Sequence, residues 1–239
     1  MKEIDKLQEL INNSNNIVFF GGAGVSTESG IRDFRGKNGL YKEKNKLDLS
    51  PEYLLSIDCL IKEPNLFFEY YKSNMNSNGY EPNITHKYLT KLESTGKLKA
   101  IVTQNIDGLH QKAGSKNVLE VHGTTKEAYC MNCLKEYPGE YIFNSNGIPK
   151  CECGGIVRPR VTLYGEMLPE DYVKAMEYIS KADLLIVGGT SLTVEPASGL
   201  VRLFSGKHLV IINNDITSYD YAAELVIRKP LGEVFSKLK

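Results

Sequence analysis

The sequence carries no net charge, no apolar run of membrane length, no internal repeat and no tract of biased composition. Lys+Arg and Asp+Glu are both 29 in 239 residues. That balance lacks the basic footprint of a chain that neutralises phosphate backbones, so no direct nucleic-acid partner is expected. The most apolar stretches, IVFF, LLIVGG and LVII, fall far short of the roughly 20 residues that span a bilayer, and no membrane partner is expected. The opening segment MKEIDKLQELINNSNN is charged and amphipathic and has no apolar centre of a secretion signal. A cytoplasmic location is therefore expected. Histidines number only 4 and cysteines only 5, so few side chains can hold a metal or move protons near neutral pH. A hydrophobic content of 41% over this length suits one large domain, or a large domain with a small insert.

What is present alternates. Ile4, Leu7, Leu10 and Ile11 repeat at helical spacing, and NIVFFGGAG then reads as a buried strand entering a glycine turn. Residues 29–50 read as a long loop. Helices are expected in PEYLLSIDCLIKE and PNLFFEYYKSNM, each with proline near its start, and in THKYLTKLESTG with Thr85 as N-cap and Gly96 as stop. LKAIVTQNIDG and NVLEVHG read as further strands. Helix PEDYVKAMEYISKA, strand DLLIVGGTS, helix ASGLVRLF, strand KHLVIINND, a short helix and strand in YDYAAELVI, and helix GEVFSKLK follow. Near-continuous apolar strands alternating with helices imply a parallel sheet covered on both faces, an α/β fold. Polar residues gather at four strand ends: Gly22 to Ser26, Gln104 to Asp107, Gly189 to Ser191 and Asn213 to Asp215. Ligands of open parallel sheets sit at the carboxyl ends of strands, so the four clusters predict one shared cleft.

The turn FFGGAGVSTESG should lead into a helix. Gly22 and Gly24 would let the backbone approach a pyrophosphate at that helix's N-terminus. The dinucleotide fingerprint is incomplete, because Thr27 occupies the third glycine position and no acidic residue follows at the usual distance. A dinucleotide site and a plain strand-to-helix turn both fit.

Cys130, Cys133, Cys151 and Cys153 form a C-x2-C and a C-x-C. In a chain expected to be cytoplasmic, such a cluster reads as a tetrahedral zinc site rather than disulfides. Gly154 and Gly155 follow the tighter knuckle and could supply its turn. Four thiolates leave no open position for water, so the zinc is structural. Cys59 stands apart, as a small apolar packing residue. His122 is then surplus to the metal. At the end of VLEV it is either a packing histidine or, at a cleft edge, a general base.

Together these motifs resemble the sirtuins, NAD-dependent protein lysine deacylases. GAGVSTESGIRDFR is similar to the family's GAG-x-S...GIPDFR segment, TQNIDGLH to TQN-x-D, VLEVHG to its histidine-glycine, GGTSLTVEPA to GTSL-x-V-x-P-A, and IINNDIT to its Asn-x-Asp/Glu segment. The resemblance runs from the first strand to the last helix. It implies a Rossmann-like NAD-binding domain from residues 1–35, 79–126 and 158–239. It also implies a cofactor loop and helical insert over 36–78 and a small zinc-binding domain over 127–157.

It further implies that Gly22, Ala23, Gly24, Ser26 and Thr27 line the NAD phosphates. Asp33, Phe34 and Arg35 would close over the nicotinamide half. Gln104 and Asn105 would bind the nicotinamide ribose, and Ile106 and Asp107 its carboxamide. Gly189, Thr190 and Ser191 would meet the phosphates or the adenosine ribose, and Asn213 and Asp215 the adenosine side. Val161, Leu163, Tyr164, Gly165 and Glu166 resemble the strand that takes up an acyl-lysine peptide by strand addition. His122, Asn105 and Asp107 would be catalytic. The implied reaction starts with attack of the acyl oxygen on the ribose carbon bearing nicotinamide, with His122 then deprotonating a ribose hydroxyl. It releases lysine, nicotinamide and O-acyl-ADP-ribose. Positioning carries most of such a reaction.

Four positions depart from the family pattern. Arg32 replaces a common proline, so a φ restraint on the closing loop is lost. Tyr164 stands for the common Phe of FGE, Arg160 for Asp or Asn beside the peptide groove, and Thr85 for alanine. In FFEYYKSNM, Phe68 and Tyr71 fall where the desuccinylase branch carries Tyr and Arg, so neutral acyl groups are expected. Two other readings compete: ADP-ribosyl transfer or NAD hydrolysis on the same fold, and a zinc-ribbon binding module with an inactive Rossmann domain.

Overall fold

The computed structural model describes residues 2–34, 36, 39–42 and 49–239. Helix α1 (Lys2–Asn13) buries the four apolar residues of its stripe. Strand β1 (Ile17–Gly21) follows and is buried throughout. Next come α2 (Pro51–Leu54), α3 (Ile57–Lys62), α4 (Pro64–Asn74), α5 (Ile84–Ser94), β2 (Leu98–Thr103), α6 (Leu109–Lys112) and β3 (Val118–Glu120). The middle of the chain holds β4 (Gly123–Cys130), β5 (Glu136–Pro138), α7 (Glu140–Asn144) and β6 (Val157–Val161). The chain closes with α8 (Glu170–Lys181), β7 (Leu184–Gly188), β8 (His208–Ile212), β9 (Leu225–Ile227) and α9 (Leu231–Phe235).

The six-stranded sheet is parallel, in the order β3-β2-β1-β7-β8-β9. Because strand side chains alternate, each strand feeds two cores. Phe19, Ile101, Ile186 and Val210 pack on one face against α1, α5 and α9. Phe20, Val102, Val187 and Ile211 pack on the other face against α8 and the segment Ala197–Leu203. The chain builds outward from β1 one way and from β7 the other way. Their adjacent carboxyl ends are therefore the switch point where a crevice opens.

A three-stranded antiparallel sheet, β5-β4-β6, forms the second layer. It shares a third core with α2, α3 and α4: Leu54, Leu60, Phe67, Phe68 and Tyr71 pack with Ala128, Ile142, Val157 and Leu163. Cys59 is fully buried in that core, as expected.

Several local expectations are corrected. No α-helix follows the glycine turn, only two 3₁₀ turns, Ala23–Val25 and Thr27–Ser29, ended by Gly30 at φ 95°. PEYLLSIDCLIKE breaks in two, because Ser56 caps a new helix through Cys59 N. Asn83, not Thr85, caps α5, with His86 completing a capping box. The Asn83 amide also donates to Val25 O at 2.8 Å and Ser29 Oγ at 3.0 Å, pinning the glycine turn. ASGLVRLF is 3₁₀ rather than α.

Candidate active site

The four polar strand ends meet, as their positions in the sequence predict. They line one cavity of about 580 Å³ with Ala23, Gly24, Gln104, Asn105, His122 and Thr190 in its walls. Its sheet side is built by close backbone approach. Gly24 N donates to Gly189 O at 2.8 Å, and a Cβ on Gly24 would lie 2.7 Å from Gly189 Cα. Only glycine allows the turns after β1 and β7 to touch in this way, and Gly189 also sits at φ 61°. Gly22 packs behind the wall, where a Cβ would meet Thr190 Cβ at 2.7 Å. Thr27 Oγ1 donates to Gly24 O, which tightens the turn.

Gln104 continues β2 into the cavity. Its backbone N donates to Gly21 O, and its Oε1 accepts from Thr190 Oγ1 at 2.8 Å. Its Nε2 is buried and has no partner among the described residues. Its backbone O lies 3.0 Å from His122 Nδ1. A carbonyl only accepts, so Nδ1 carries the proton and Nε2 keeps the lone pair. Burial holds the His122 pKa below its ordinary value, against the bond to Gln104. The ring is therefore a neutral base at neutral pH.

Asn105 and Asp107 are both buried and are joined through Ser26. Asn105 Nδ2 donates to Ser26 Oγ at 3.1 Å, and Ser26 Oγ donates to Asp107 Oδ2 at 2.6 Å. Asp107 Oδ1 accepts from Leu109 N at 2.9 Å. Burial raises the Asp107 pKa, and the bonds from Ser26 and Leu109 and the charge of Lys126 pull it back. Ser26, expected to face phosphates, is 1% exposed, and its hydroxyl is committed to this relay. Ile106 O is likewise engaged, by Thr125 N and Oγ1 at 2.9 Å each. Beyond β8, Asn213 Nδ2 donates to Asp215 O, and both residues line the cavity with Ser191. Asp33 and Phe34 also line it, and Asp33 Oδ1 accepts from Gly36 N at 2.9 Å. Arg35 lies outside the described residues.

Beyond β6, which ends at Val161, Tyr164 forms an isolated parallel bridge with Ser56, and Leu163 to Glu166 close a turn. Thr162 N donates to His122 O, Tyr164 N to Leu55 O, Glu166 N to Leu163 O, and Leu163 N to Glu166 Oε2. The Glu166 carboxylate is bound by Arg158 through both Nη1 and Nη2, at 2.5 and 2.8 Å. Arg158 is 4% exposed, so the pair is structural. Sequence reasoning missed Arg158, whose signal was its place in VRPRV before the turn. Arg160, expected to charge the groove, instead pairs with Glu127 and Glu136 outside the cavity.

The four cysteine sulfurs lie within 4.8 Å of one another. Cys130–Cys153, Cys133–Cys151 and Cys133–Cys153 are 3.5, 3.6 and 3.5 Å apart. Zinc–sulfur bonds of about 2.3 Å in a tetrahedron require edges of roughly 3.8 Å, so the set fits one zinc ion. A Cβ at Gly155 would lie 2.7 Å from Cys130 Sγ, which explains a glycine beside the tighter knuckle. His122 is not among these ligands.

Comparison with known proteins agrees with this architecture. A model described as the Sir2 family matches residues 22–196. The "NAD-dependent protein deacetylase" of Clostridium perfringens is 54% identical over 239 residues, covering 99% of this chain and 98% of its own length. The protein of the same name from Staphylococcus epidermidis is 48% identical over 238 residues, covering 99% and 96%. The solved structure of Sir2 with p53 peptide and NAD+ superposes with TM-score 0.87 at 36% identity, covering 98% of this chain and 96% of its own. A histidine-to-alanine Sir2 variant with deacetylated p53 peptide and 3'-O-acetyl-ADP-ribose gives 0.91 at 38% identity, covering 98% and 96%. With sequence and backbone agreeing over nearly the whole chain, this protein belongs to the Sir2 family.

Proposed function

We propose that the protein removes acetyl and other neutral acyl groups from protein lysine, consuming NAD and releasing nicotinamide and O-acyl-ADP-ribose. The observation that carries this reading is the His122 ring, fixed at Nδ1 by Gln104 O and lining the same cavity as Asn105. The relatives' printed names and the peptide and NAD+ complexes of Sir2 support it.

The residues fit NAD. The unpartnered Nε2 of Gln104 offers a buried donor to a ribose oxygen, and the Gly24–Gly189 contact leaves a smooth backbone cradle for phosphates. Bound NAD supplies a ribose carbon made electrophilic by its nicotinamide. Gln104 and Asn105 would hold the adjoining ribose, with Asn105 oriented by Ser26. Ala23, Gly24, Thr27, Gly189, Thr190 and Ser191 would face the phosphates, and Asn213 and Asp215 the adenosine end. Asp33 and Phe34 would cover the nicotinamide half, with Ile106 and Asp107 at its carboxamide. His122 Nε2 accepts a ribose hydroxyl proton, contributing roughly 10²–10⁴-fold.

The acyl-lysine backbone would add beside Val161, Leu163, Tyr164 and Gly165, with Glu166 bracing the turn. The cavity wall there is apolar, with Leu55, Met75, Ile106 and Leu163. Helix α4 carries no arginine; Tyr71 lines the cavity and Phe68 packs in the core behind it, which supports neutral acyl groups.

Mass spectrometry of an acetyl-lysine peptide, with and without NAD, tests the reading. Loss of acetyl only with NAD, together with O-acetyl-ADP-ribose, is expected. Retained acetyl with free ADP-ribose or ADP-ribosylated protein would replace it with the transferase or hydrolase reading. His122→Ala should keep its fold and zinc and lose deacylation.

A further inference from the structure

Two departures from the sirtuin pattern bear on the loop over the cofactor site: Tyr164, and Arg32, whose Nη2 donates to Asn74 Oδ1 at 3.4 Å. Tyr164 brings a hydroxyl where phenylalanine is common, and Arg32 removes a proline restraint from the loop over the cofactor site. Tyr164 is a fixed post: its N donates to Leu55 O at 3.1 Å and its O accepts from Ile57 N at 3.0 Å. Its hydroxyl lies 2.6 Å from the Tyr41 hydroxyl, 123 residues away in sequence. Tyr41 belongs to the 3₁₀ turn Leu40–Lys42, within the same long loop as Asp33 and Phe34. There Tyr41 N donates to Phe34 O at 2.9 Å and Leu40 N donates to Asp33 O at 3.0 Å. The Tyr41 ring meets the Phe34 ring edge-on, centroids 5.7 Å apart. Phe34, Tyr41 and Tyr164 all line the cavity.

We propose that Tyr164 is a positioning residue for the cofactor loop, holding Asp33 and Phe34 over the cleft through the Tyr41 hydroxyl. The tether supplies from the substrate segment the restraint that Arg32, in place of proline, no longer supplies from within the loop. It rests on the assignment of NAD to this cleft. A half-exposed hydroxyl pair shifts a loop equilibrium by about two- to tenfold. NAD affinity falls by up to the same factor as the competent loop state is depopulated. The same link makes the loop's position sensitive to a peptide laid beside Tyr164, the wall from which the tether springs.

The test uses Tyr164→Phe, Tyr41→Phe and the double variant. Each single change removes one oxygen and keeps the ring, so folding is not at risk. NAD is titrated calorimetrically into each protein. Each single variant is expected to bind NAD about two- to tenfold more weakly, and the double variant no more weakly than the worse single one. In turnover, Tyr41→Phe should raise KM for NAD and leave kcat in place. Wild-type NAD affinity in both single variants, or losses that multiply in the double, would overturn the tether. A wild-type protein that binds NAD but does not deacetylate would instead overturn the proposed reaction, and the titration would still decide the tether.

Discussion

Ser26→Ala removes one oxygen from the centre of the Asn105–Ser26–Asp107 relay. The hydroxyl now accepts from Asn105 at 3.1 Å and donates to Asp107 at 2.6 Å, in a site 1% exposed. A hydrogen bond to a carboxylate contributes about 1.5–3 kcal/mol, and an orphaned buried amide costs about 1–3 kcal/mol. Some of that returns through water or relaxation, so a net loss of about 2–4 kcal/mol is expected. For a chain of this length the melting temperature should fall by roughly 5–15 °C. Asn105 also loses its anchor, and a displacement near 1 Å costs up to about 10²-fold in rate, so kcat/KM should fall about 10–100-fold.

The pH dependence follows from Asp107. Burial already lifts its pKa and the Ser26 bond lowers it, so the variant lifts it further. A carboxyl whose folded pKa lies above its unfolded value destabilises the protein as pH rises through the folded pKa. The deficit of the variant should therefore grow with pH and shrink toward acid. Thermal melts across pH and steady-state deacetylation measure both effects. An unchanged melting temperature with kcat/KM within twofold of wild type, or a deficit larger in acid than at neutral pH, would refute the relay.

Glu166→Gln should act on stability more than on peptide KM, because it leaves Arg158 buried with its charge unpaired; a loss of about 3–5 kcal/mol is expected in urea denaturation. Cys151→Ser should lose zinc and soluble protein, and full metal occupancy in that variant would show that the ligand set is wrong. Burial lowers the pKa of His86 to about 4 and that of His110 to about 3. Their stabilising contribution is present above pH 6.5 and lost as pH falls, His86 alone accounting for about 3 kcal/mol by pH 4. A melting temperature flat from pH 7 to 4 would contradict their buried neutral state. Because the His122 pKa is also lowered, the acid limb of kcat/KM should lie below pH 6.5.

Local chemistry misled where a distant contact overrode it. FFGGAGVSTESG has the look of a turn into a helix, but Gly24 and Val25 lie against Gly189, and the segment closes into 3₁₀ turns. Thr85 is a plausible cap, yet Asn83 takes the role because its amide also reaches Val25 and Ser29, more than 50 residues away. After β6, Tyr164 bridges to Ser56 more than 100 residues earlier, and the Glu166 carboxylate is held by Arg158, contacts that neighbouring letters do not record.

The strands, their buried character, the four polar strand ends and the four metal-binding cysteines were legible in the sequence alone. Period, turn chemistry and ligand spacing are properties of neighbouring residues, so consecutive letters record them. Tertiary structure decided which of those residues share hydrogen bonds. Ser26 reaches Asp107 across 81 residues and Tyr41 reaches Tyr164 across 123. Such pairs depend on strand order and register around the β1–β7 switch point, which no local pattern encodes. The same geometry joined Ser26 to Asn105 and Asp107, paired Glu166 with Arg158, and left the lone pair of His122 on Nε2.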